Sequence, residues 1–400
     1  MKRLHLLGFI GLLVLSLIGA ACITQQPPAK ENTTVGILYS NFGSMPTLLV
    51  SKEIDGYIAW QPFVEIAPMT GFGKVLAYTG DFAWKHHPCC VMVATDDLYN
   101  RNPKIVNAVT ALTILSTQYI NDHPTEAGDI VADWIAGKSN FTYGNISVSS
   151  VEAMRRAIKT VEYDNTPSEE WQNGILRFMY IQRELSVLKG PLANASEADA
   201  KALLFNLAPS QNATDMIKSG KIITPPKEQK QLGIGYLMSD HDTALFVAVK
   251  KWQYFNETYG ITLKPKDLSQ TKPEVVELII NGEKIADIQL IPADFGGKLM
   301  QLVATDAMQF AFVGNPPAIS SIDGGTKAKI LIPINYEGSG VVVSIDSPAH
   351  DMPSFVQWAK DRSAAGKPLK IADPGKGSIQ DILLRYAMKT NNITVTEVQT

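Results

Sequence analysis

Apolar and polar positions follow two different periods along the chain. From residue 33 to residue 95, and again from 232 to 400, short apolar runs such as "TTVGILYS" and "LGIGYL" predict strands, each followed by a pattern of helical period. Between residues 100 and 220 nearly every segment has the period of an amphipathic helix. Strands that alternate with helices form parallel sheets covered on both faces. The pattern therefore predicts an α/β protein with parallel sheets and a helical block in the middle.

Two weak internal repeats predict two similar lobes. The segment "LGIGYLMSDHDTALFVAVKKW" from Leu232 aligns without gaps with "LKIADPGKGSIQDILLRYAMK" from Leu369, and both have the pattern of a strand, a polar loop and a helix start. A helix, a strand and a Pro turn recur in the same way from Leu48 and from Leu302. The two kinds of unit are consecutive in one lobe but lie at opposite ends of the chain in the other. A circular permutation explains this order, and the alternative is a piece of a longer tandem array cut at both ends.

The predicted organisation places parts of lobe 2 at both ends of the chain. It comprises a signal peptide (1–22), a tether (23–34), part of lobe 2 (35–66), a return to lobe 1 (67–100), a helical region (101–225), lobe 1 (230–340) and the first part of lobe 2 (341–400).

The first residues predict a lipoprotein signal peptide. Lys2 and Arg3 precede the apolar run 6–18, and small residues then lead to Cys22. A signal-anchor helix is the alternative, because the segment approaches the roughly 20 apolar residues that span a bilayer. Both interpretations place the bulk of the chain on the outer face of the cytoplasmic membrane. Cleavage leaves Cys22 lipidated at the start of a polar, Pro-containing tether over 23–34.

Composition and charge limit the classes of protein to which the chain can belong. Hydrophobic residues make up 45% of the chain and the formal net charge is −3, which supports a large core and gives no basic face for nucleic acid. Besides Cys22 the cysteines are the adjacent pair Cys89 and Cys90, too few for a disulfide framework and without the CxxC or His spacing of a zinc site. We expect Cys89 and Cys90 to be two small buried residues at the start of a strand. The alternative is a disulfide between these adjacent cysteines.

Asn-x-Ser/Thr sequons predict surface glycosylation if the host glycosylates exported proteins. The alternative is that they arise by chance in a chain rich in Asn and Thr. They begin at Asn32, Asn140, Asn145, Asn194, Asn212, Asn256 and Asn392.

Several segments resemble the substrate-binding proteins of nitrate-, sulfonate- and taurine-type ABC importers, in the NMT1/THI5-like superfamily. They are "KEIDGYIAWQPFVEIA", "GKVLAYTGDFAWKHHPCCVMVATDDLYNRNP", "LGIGYLMSDHDTALFVAVKKW", "MQFAFVGNPPAISSIDGG" and "GKPLKIADPGKGSIQDILLRYAMK". Residues 33–135 are similar to the second half of such a protein and 230–400 to its first half, whereas 140–225 has no counterpart. The resemblance implies the periplasmic binding protein type II fold, two Rossmann-like lobes on a two-strand hinge. The departures are the permuted order of the halves and an extra helical block.

The resemblance also implies a function. It implies an extracytoplasmic solute-binding protein that captures a small anionic or zwitterionic solute of the nitrate, sulfonate or taurine class and delivers it to the permease and ATPase subunits of an ABC importer. It implies no enzymatic activity, cofactor or metal. The alternative is a protein that binds a thiamine-pyrimidine precursor, or a related pyrimidine synthase, although the cysteine-rich signature of those enzymes is missing. A sensor or structural lipoprotein is a third possibility.

Two polar loops are predicted to bind the ligand. Ligands of parallel α/β lobes lie beyond the carboxyl ends of the strands, where helix N-termini present unpaired N–H groups. In "PGKGSIQD", Gly377 lets the backbone approach an oxyanion, Ser378 caps the helix and donates, and Lys376 adds charge. In "MSDHD" of the other lobe, four polar residues exceed what a helix cap needs, and the two loops together suit a zwitterion. These four are Ser239, Asp240, His241 and Asp242.

Other chemistries for these loops are less well supported. A nucleotide P-loop requires the Gly-Lys-Ser/Thr order, which "PGKGSIQD" lacks. An Asp/His metal site in "MSDHD" is the sharper alternative, but the sequence offers no third ligand at a fixed spacing.

The turns after two further strands are predicted to face each other across the cleft. They contribute Trp60 and Gln61 from one lobe and Gly314 and Asn315 from the other. Trp60 either stacks on a planar ligand or packs the hinge. Weaker candidates for ligand binding lie in the turn after the strand that ends near residue 334 and in a pair of adjacent histidines. For both, the alternative is a capped surface loop without a binding role. They are Glu337, Gly338, Ser339, His86 and His87.

Overall fold

The structure is a computed structural model that describes residues 33–399. The predicted signal peptide, Cys22 and the tether up to residue 32 lie outside the described residues. The strands are β1 (Thr34–Tyr39), β2 (Gly56–Trp60), β3 (Gly73–Tyr78), β4 (Cys90–Thr95), β5 (Phe141–Tyr143), β6 (Ile146–Val148), β7 (Val161–Glu162), β8 (Leu232–Leu237), β9 (Ile261–Pro265), β10 (Val275–Ile280), β11 (Glu283–Ala293), β12 (Phe310–Gly314), β13 (Ala328–Pro333), β14 (Tyr336–Glu337), β15 (Ser339–Ser344), β16 (Leu369–Asp373) and β17 (Thr394–Glu397).

The helices cover both faces of the sheets. They are α1 (Met45–Val50), α2 (Phe63–Thr70), α3 (Thr79–Phe82), α4 (Asp96–Arg101), α5 (Pro103–Asp122), α6 (Pro124–Ala136), α7 (Ser150–Ala157), α8 (Glu169–Glu184), α9 (Glu197–Leu204), α10 (Ala208–Ser219), α11 (Thr243–Lys250), α12 (Trp252–Tyr259), α13 (Gly296–Ala304), α14 (Asn315–Asp323), α15 (Met352–Ala364) and α16 (Ile379–Thr390). None of those in the described range combines the length and the hydrophobicity needed to cross a bilayer.

Two sheets form the centres of two lobes, and the described residues belong to one compact unit. Lobe 2 is built on the six-stranded sheet β17-β1-β16-β2-β15-β3, and lobe 1 on the seven-stranded sheet β13-β4-β12-β8-β11-β10-β9. In lobe 2, β1 lies parallel to β16 with Val35 opposite Leu369; in lobe 1, β8 lies parallel to β11 with Leu232 opposite Ile288. The predicted two-lobe α/β fold is confirmed.

Each sheet also contains antiparallel strands, so the expectation of purely parallel sheets is wrong. The chain passes between the lobes over 79–89 and again over 334–338, and the strands that follow these crossovers are β4 and β15. β4 is antiparallel to β12 and β13, and β15 is antiparallel to β2 and β3. A strand that follows a crossover starts at the interface between the lobes and runs away from that interface. The parallel strands of the same sheet run towards the interface and end at it. The two crossovers therefore impose the reversed direction of β4 and β15, whereas β10 runs antiparallel to β9 and β11 within lobe 1.

The core follows from the alternation of side chains along each strand. In β2, Tyr57 and Ile58 are fully buried on opposite faces of the sheet of lobe 2. In lobe 1, Trp134 stacks on Phe246 with ring centroids 4.7 Å apart. Burying a large apolar side chain contributes about 1.5–3 kcal/mol, so both faces of each sheet stabilise the fold.

The predicted helical region contains three short strands that the sequence pattern does not predict. β5 and β6 form a hairpin, with Phe141 opposite Val148 and Gly144 at a φ of 58° in the turn. The hairpin packs on the face of lobe 2 that carries α2. β7 pairs with β14, which lies in the second crossover. The region thus contacts both lobes. Strands of two or three residues are too short to show a period of their own.

Candidate ligand-binding site

A small cavity lies where the two lobes meet. Its volume is about 20 Å³, which is room for little more than one water molecule. Lobe 1 lines it with residues that include Cys89, Cys90, Leu237 and His241, and lobe 2 with Trp60, Ser378, Ile379 and Gln380. The lobes are in contact beside it, because a Cβ on Gly314 would lie 3.2 Å from the Ile379 side chain. The described form is closed.

The loop after β8 places His241 in the cavity wall, whereas its other predicted residues, Ser239, Asp240 and Asp242, lie behind it and outside the lining. A 3-10 turn over Asp240–Asp242 leads into α11, and the Ser239 hydroxyl accepts a hydrogen bond from the His241 N–H at 3.2 Å. The same hydroxyl donates across the interface to the backbone oxygen of Gln61 at 3.3 Å. Asp242 accepts a bond from the last N–H of β8 at 2.6 Å. All four polar residues are at most 3% exposed, so this loop is buried at the lobe interface.

His241 faces the two cysteines at the start of β4. Its Nε2 lies 2.9 Å from the Gly338 carbonyl oxygen, and because a carbonyl only accepts, Nε2 carries a hydrogen. Its Nδ1 lies 3.3 Å from Cys89 Sγ and 3.8 Å from Cys90 Sγ. The cysteines are buried thiols without a disulfide, as expected of small residues at a strand start. Separations of 152 and 151 residues hide this cluster from any spacing pattern.

The pKa values of Cys89, Cys90 and His241 are shifted from their usual values. Burial raises the pKa of the Cys89 thiol, but the hydrogen bond from Cys90 and the charge of His241 outweigh it and lower that pKa to about 5. Burial lowers the pKa of His241, and the charge of Cys89 raises it to about 10. The hydrogen bond to Cys89 and burial hold the pKa of Cys90 well above its usual value. The two shifts have opposite directions, which favours transfer of the Cys89 proton to His241.

The start of α16 brings lobe 2 to the cavity. Ser378 caps this helix, and its hydroxyl accepts a hydrogen bond from the Asp381 N–H at 3.0 Å. Gln380 Nε2 donates to the Ser339 hydroxyl at 2.8 Å, which places Ser339 behind Gln380. The helix N-terminus adds partial positive charge at this side of the cavity.

Lys376 and Gly377 lie outside the cavity, contrary to the prediction. The Lys376 ammonium pairs with Glu397 of β17 at 2.8 Å, and the side chain is 69% exposed. The Gly377 N–H donates to the Asp381 carboxylate at 2.8 Å. Because Glu397 and Asp381 engage these two groups, both residues line a surface pocket of about 570 Å³ beside Arg385 instead.

The turns after β2 and β12 both reach the cavity, through Trp60 and Gly314. Trp60 also belongs to the core on one face of the sheet of lobe 2, so it both lines the cavity and packs. The other two predicted residues brace the turns. Gln61 Nε2 donates to Thr160 at 2.8 Å, and Asn315 Nδ2 donates to the chain just before β4 at 2.9 Å.

The weaker candidates lie outside the cavity. His87 is buried with Nε2 2.8 Å from the Thr79 hydroxyl, whereas His86 is exposed and pairs with Glu162 at 2.8 Å. Gly338 contacts His241 through its carbonyl. Among the lining residues of the described chain, none of the weaker candidates appears.

A segment of the helical region contacts both sides of the site. The Thr160 hydroxyl accepts the hydrogen bond from Gln61 of lobe 2, and the Tyr163 hydroxyl donates to the backbone oxygen of Asp240 of lobe 1 at 2.8 Å. The sequence pattern offers no signal for this bridge, because both contacts join residues far apart in the chain.

Several buried polar atoms near the cavity have no hydrogen-bond partner within residues 33–399. They are Trp60 Nε1, Asp240 Oδ2, Asp242 Oδ1, Asn315 Oδ1 and Asn335 Nδ2. Burial raises the pKa of Asp240 to about 6 and that of Asp242 well above its usual range. Buried polar groups are almost always paired, so these atoms give the site unused hydrogen-bonding capacity. Among the described lining residues there is no Lys or Arg.

The match to a known protein family extends over both lobes. The sequence matches the NMT1-like family over residues 30–136 and 225–400. An uncharacterized protein of Methanocaldococcus jannaschii is 35% identical over 121 residues, which is 30% of this chain and 80% of that protein. No solved structure matches the chain. The unmatched stretch 137–224 contains the hairpin, β7 and α7 to α10.

Proposed function

Because the chain belongs to the NMT1-like family, we propose that it is an extracytoplasmic solute-binding protein that captures a small solute between its lobes and delivers it to the permease and ATPase subunits of an ABC importer. The observation that supports this most is the buried cavity at the lobe interface, lined by polar groups from both lobes. The family match supports a binding-protein role in general.

The crossovers suit a hinge. The cavity of about 20 Å³ in the described form is too small for such a solute, so the lobes must move apart to admit one. A ligand that contacts both lobes then stabilises a form closed around it by its differential affinity for that form. In the closed form the Ser239 hydroxyl already bonds to Gln61 of the other lobe, so a few polar contacts favour closure without a ligand. Capture and release involve no covalent step, and the proposal includes no catalytic residue.

Within the nitrate, sulfonate and taurine class, we propose a zwitterion rather than a simple anion as the solute. Ser378 and the N-terminus of α16 suit an oxyanion group. Asp240 and Asp242 lie behind the lining residue His241, and each keeps one carboxyl oxygen without a partner in the described chain, so an ammonium group can reach them once the lobes move apart. Lys376, the cation on which a simple anion would depend, pairs with Glu397 and does not line the cavity.

A thermal-shift screen tests this proposal. The purified chain is unfolded with taurine, an alkanesulfonate, nitrate and a pyrimidine precursor of thiamine, each in turn. A solute present at about 100 times its dissociation constant adds about 2.7 kcal/mol to the folded state, which is a clear rise in the unfolding midpoint. We expect taurine or a similar zwitterion to give the largest rise. A rise with the pyrimidine alone would instead support the alternative ligand, and no rise with any of them would contradict the proposed solute class.

We also propose that a lipid on Cys22 holds the protein on the outer face of the cytoplasmic membrane. The supporting feature is the sequence before Cys22, with two basic residues, an apolar run and small residues. We expect Cys22→Ser to block incorporation of radiolabelled palmitate, while Cys89→Ser leaves the label in place. Equal labelling of the Cys22→Ser chain would contradict the lipid anchor.

A further inference from the structure

Three side chains with metal-binding atoms meet in the wall of the interlobe cavity. Cys89 Sγ, Cys90 Sγ and a ring nitrogen of His241 all lie within 4.8 Å of one another, and all three residues are buried. We propose that these residues bind a thiophilic d10 metal ion, Zn²⁺ or Cu⁺. This inference goes beyond the proposed function, because the ion binds whether or not the chain delivers a solute to an importer.

The spacing of the three atoms fits such an ion. Zn–S bonds of about 2.3 Å and Zn–N bonds of about 2.0–2.1 Å in a tetrahedral site put sulfur and nitrogen about 3.5 Å apart. The two separations from His241 Nδ1 are 3.3 Å to Cys89 and 3.8 Å to Cys90, on either side of that value. Two thiols with one imidazole select soft ions, because Mg²⁺ and Ca²⁺ take oxygen ligands.

The imidazole is already oriented for this role. His241 donates its Nε2 hydrogen to the Gly338 carbonyl, so Nδ1 is the nitrogen that faces the sulfurs. A metal-ligating histidine usually donates its other ring N–H to a backbone carbonyl or a carboxylate in this way. The ligand geometry is therefore largely formed before an ion binds.

Hydrogen bonds to Asn335 also fix the backbone of the two cysteines. The Cys90 N–H donates to Asn335 Oδ1 at 3.0 Å, and the Cys89 N–H donates to the Asn335 backbone oxygen at 3.0 Å. Both bonds fix the start of β4, from which the two thiols extend towards His241. Contacts behind the ligands set their direction, and their loss typically costs about 10–100-fold in metal affinity.

Charge and space also suit a bound cation. A buried cation needs nearby negative charge, and a cysteine thiol gives up its proton when it binds a metal ion. The Asp240 carboxyl lies 3.9 Å from the His241 ring. The adjoining cavity of about 20 Å³ can hold one small ligand such as a water molecule. Three protein ligands leave the fourth position of a tetrahedral ion for that molecule or for a solute atom.

The test is metal titration of the full-length chain carrying Cys22→Ser, extracted in detergent and kept reduced. In this variant Cys89 and Cys90 are the two cysteines that remain. Zn²⁺ and Cu⁺ are titrated against a chromophoric chelator, and Co²⁺ serves as an optical substitute for Zn²⁺. We expect one ion per chain and a thiolate-to-cobalt charge-transfer absorption. A chain that binds none of the three ions at this stoichiometry would overturn the proposal, whatever the variants do.

Ligand variants locate the site. We expect Cys89→Ser, Cys90→Ser and His241→Gln each to lose more than the roughly 10–100-fold that is typical of contacts behind the ligands. His350→Gln is the control, because this His is exposed with 75% of its side chain accessible. Circular dichroism checks that each variant is folded, and folded ligand variants that keep the full affinity would refute the site. If a variant unfolds, a second measurement takes its place: the alkylation rate of the two thiols in the Cys22→Ser chain, with and without Zn²⁺. We expect bound Zn²⁺ to slow alkylation, and equal rates would refute the site.

The outcomes for the ion and for the solute are separable. Metal binding without any thermal shift from the solute panel would support this site and count against the proposed solute class. A thermal shift with a solute in a chain that binds no metal would support the proposed solute class and count against the metal site.

Discussion

Gly338 is the residue at which the second crossover meets the site. Its φ of 79° is a conformation that side chains disfavour, and its carbonyl accepts the hydrogen bond from His241. A Cβ at this position would collide with His241 Nε2 and lie 2.7 Å from Val161 Cγ2. The crossover, the site loop and β7 therefore leave room only for a glycine.

We expect Gly338→Ala to destabilise the fold and displace His241. Overpacking a tight site costs about 1–3 kcal/mol beyond the conformational penalty of a positive φ. Gly325→Ala is the matched control, because Gly325 has a φ of 100° and a Cβ there would meet nothing within 4 Å. Urea unfolding compares the two. Equal losses of stability would show that the crowding around Gly338 has no energetic effect.

Asp373 is a second residue whose burial can be tested. It ends β16 fully buried, and its Oδ1 accepts hydrogen bonds from the Gly375 N–H at 2.9 Å and from the Ser378 hydroxyl at 3.4 Å. Burial raises its pKa well above the usual value, and the charge of Asp381 adds to this. The unfolded chain ionises this group near pH 3.9, about the usual pKa, so the group favours the fold below that pH. This stability is lost as the pH rises towards the folded pKa.

We therefore expect Asp373→Asn to gain stability relative to the unmodified chain as the pH rises from 4 to 7, by up to about 1.4 kcal/mol per pH unit. Below pH 4 the difference between the two chains should stop changing. Urea unfolding across this range measures it, with Asp346→Asn as the control for loss of an exposed charge. A difference that stays constant from pH 4 to 7 would contradict the assigned effect of burial.

At the scale of elements, strand-to-helix connections were the predictable part of the site. The loops after β8 and β16 combine a strand end, polar residues and a helix start, so sequence alone locates His241 and Ser378 in the cavity wall. What surrounds a loop is set by distant segments. Lys376 turns outward because β17 brings Glu397 to it, and Cys89 and Cys90 meet His241 because β4 and β8 flank β12 in one sheet. Neither arrangement leaves a spacing that a sequence pattern could show.

The outward position of Lys376 gives a prediction for this element. We expect Lys376→Ala to leave solute affinity within about two-fold, because an exposed ion pair contributes only about 0–1 kcal/mol and this one lies outside the cavity. Calorimetric titration of the solute found in the thermal screen measures the affinity. A ten-fold loss would restore the lysine as a ligand-binding residue.

At the scale of the whole molecule, both lobes and the helical region converge on one cavity. Thr160 and Tyr163 contact the site loops of lobe 2 and lobe 1, and β7 pairs with the second crossover. The sheets, the lobes and the break near 140–225 could be predicted from periodicity and repeats. The bridge could not, because it depends on single long-range hydrogen bonds. Opening of the cleft must break these bonds or move the bridge with one lobe, which restricts the range of the hinge.

The most direct test of capture between the lobes is solute affinity in two variants from opposite lobes. Ser239→Ala removes the bond across the interface to Gln61, and Ser378→Ala removes a group that lines the cavity. Ser168→Ala is the control, because it removes an equivalent helix cap, at α8, whose hydroxyl accepts from the Trp171 N–H at 3.1 Å. Isothermal calorimetry should show a loss of about 1 kcal/mol, roughly five-fold, for each of the first two and unchanged affinity for the control. A solute whose affinity depends on one lobe alone, or on neither, would contradict capture between the lobes.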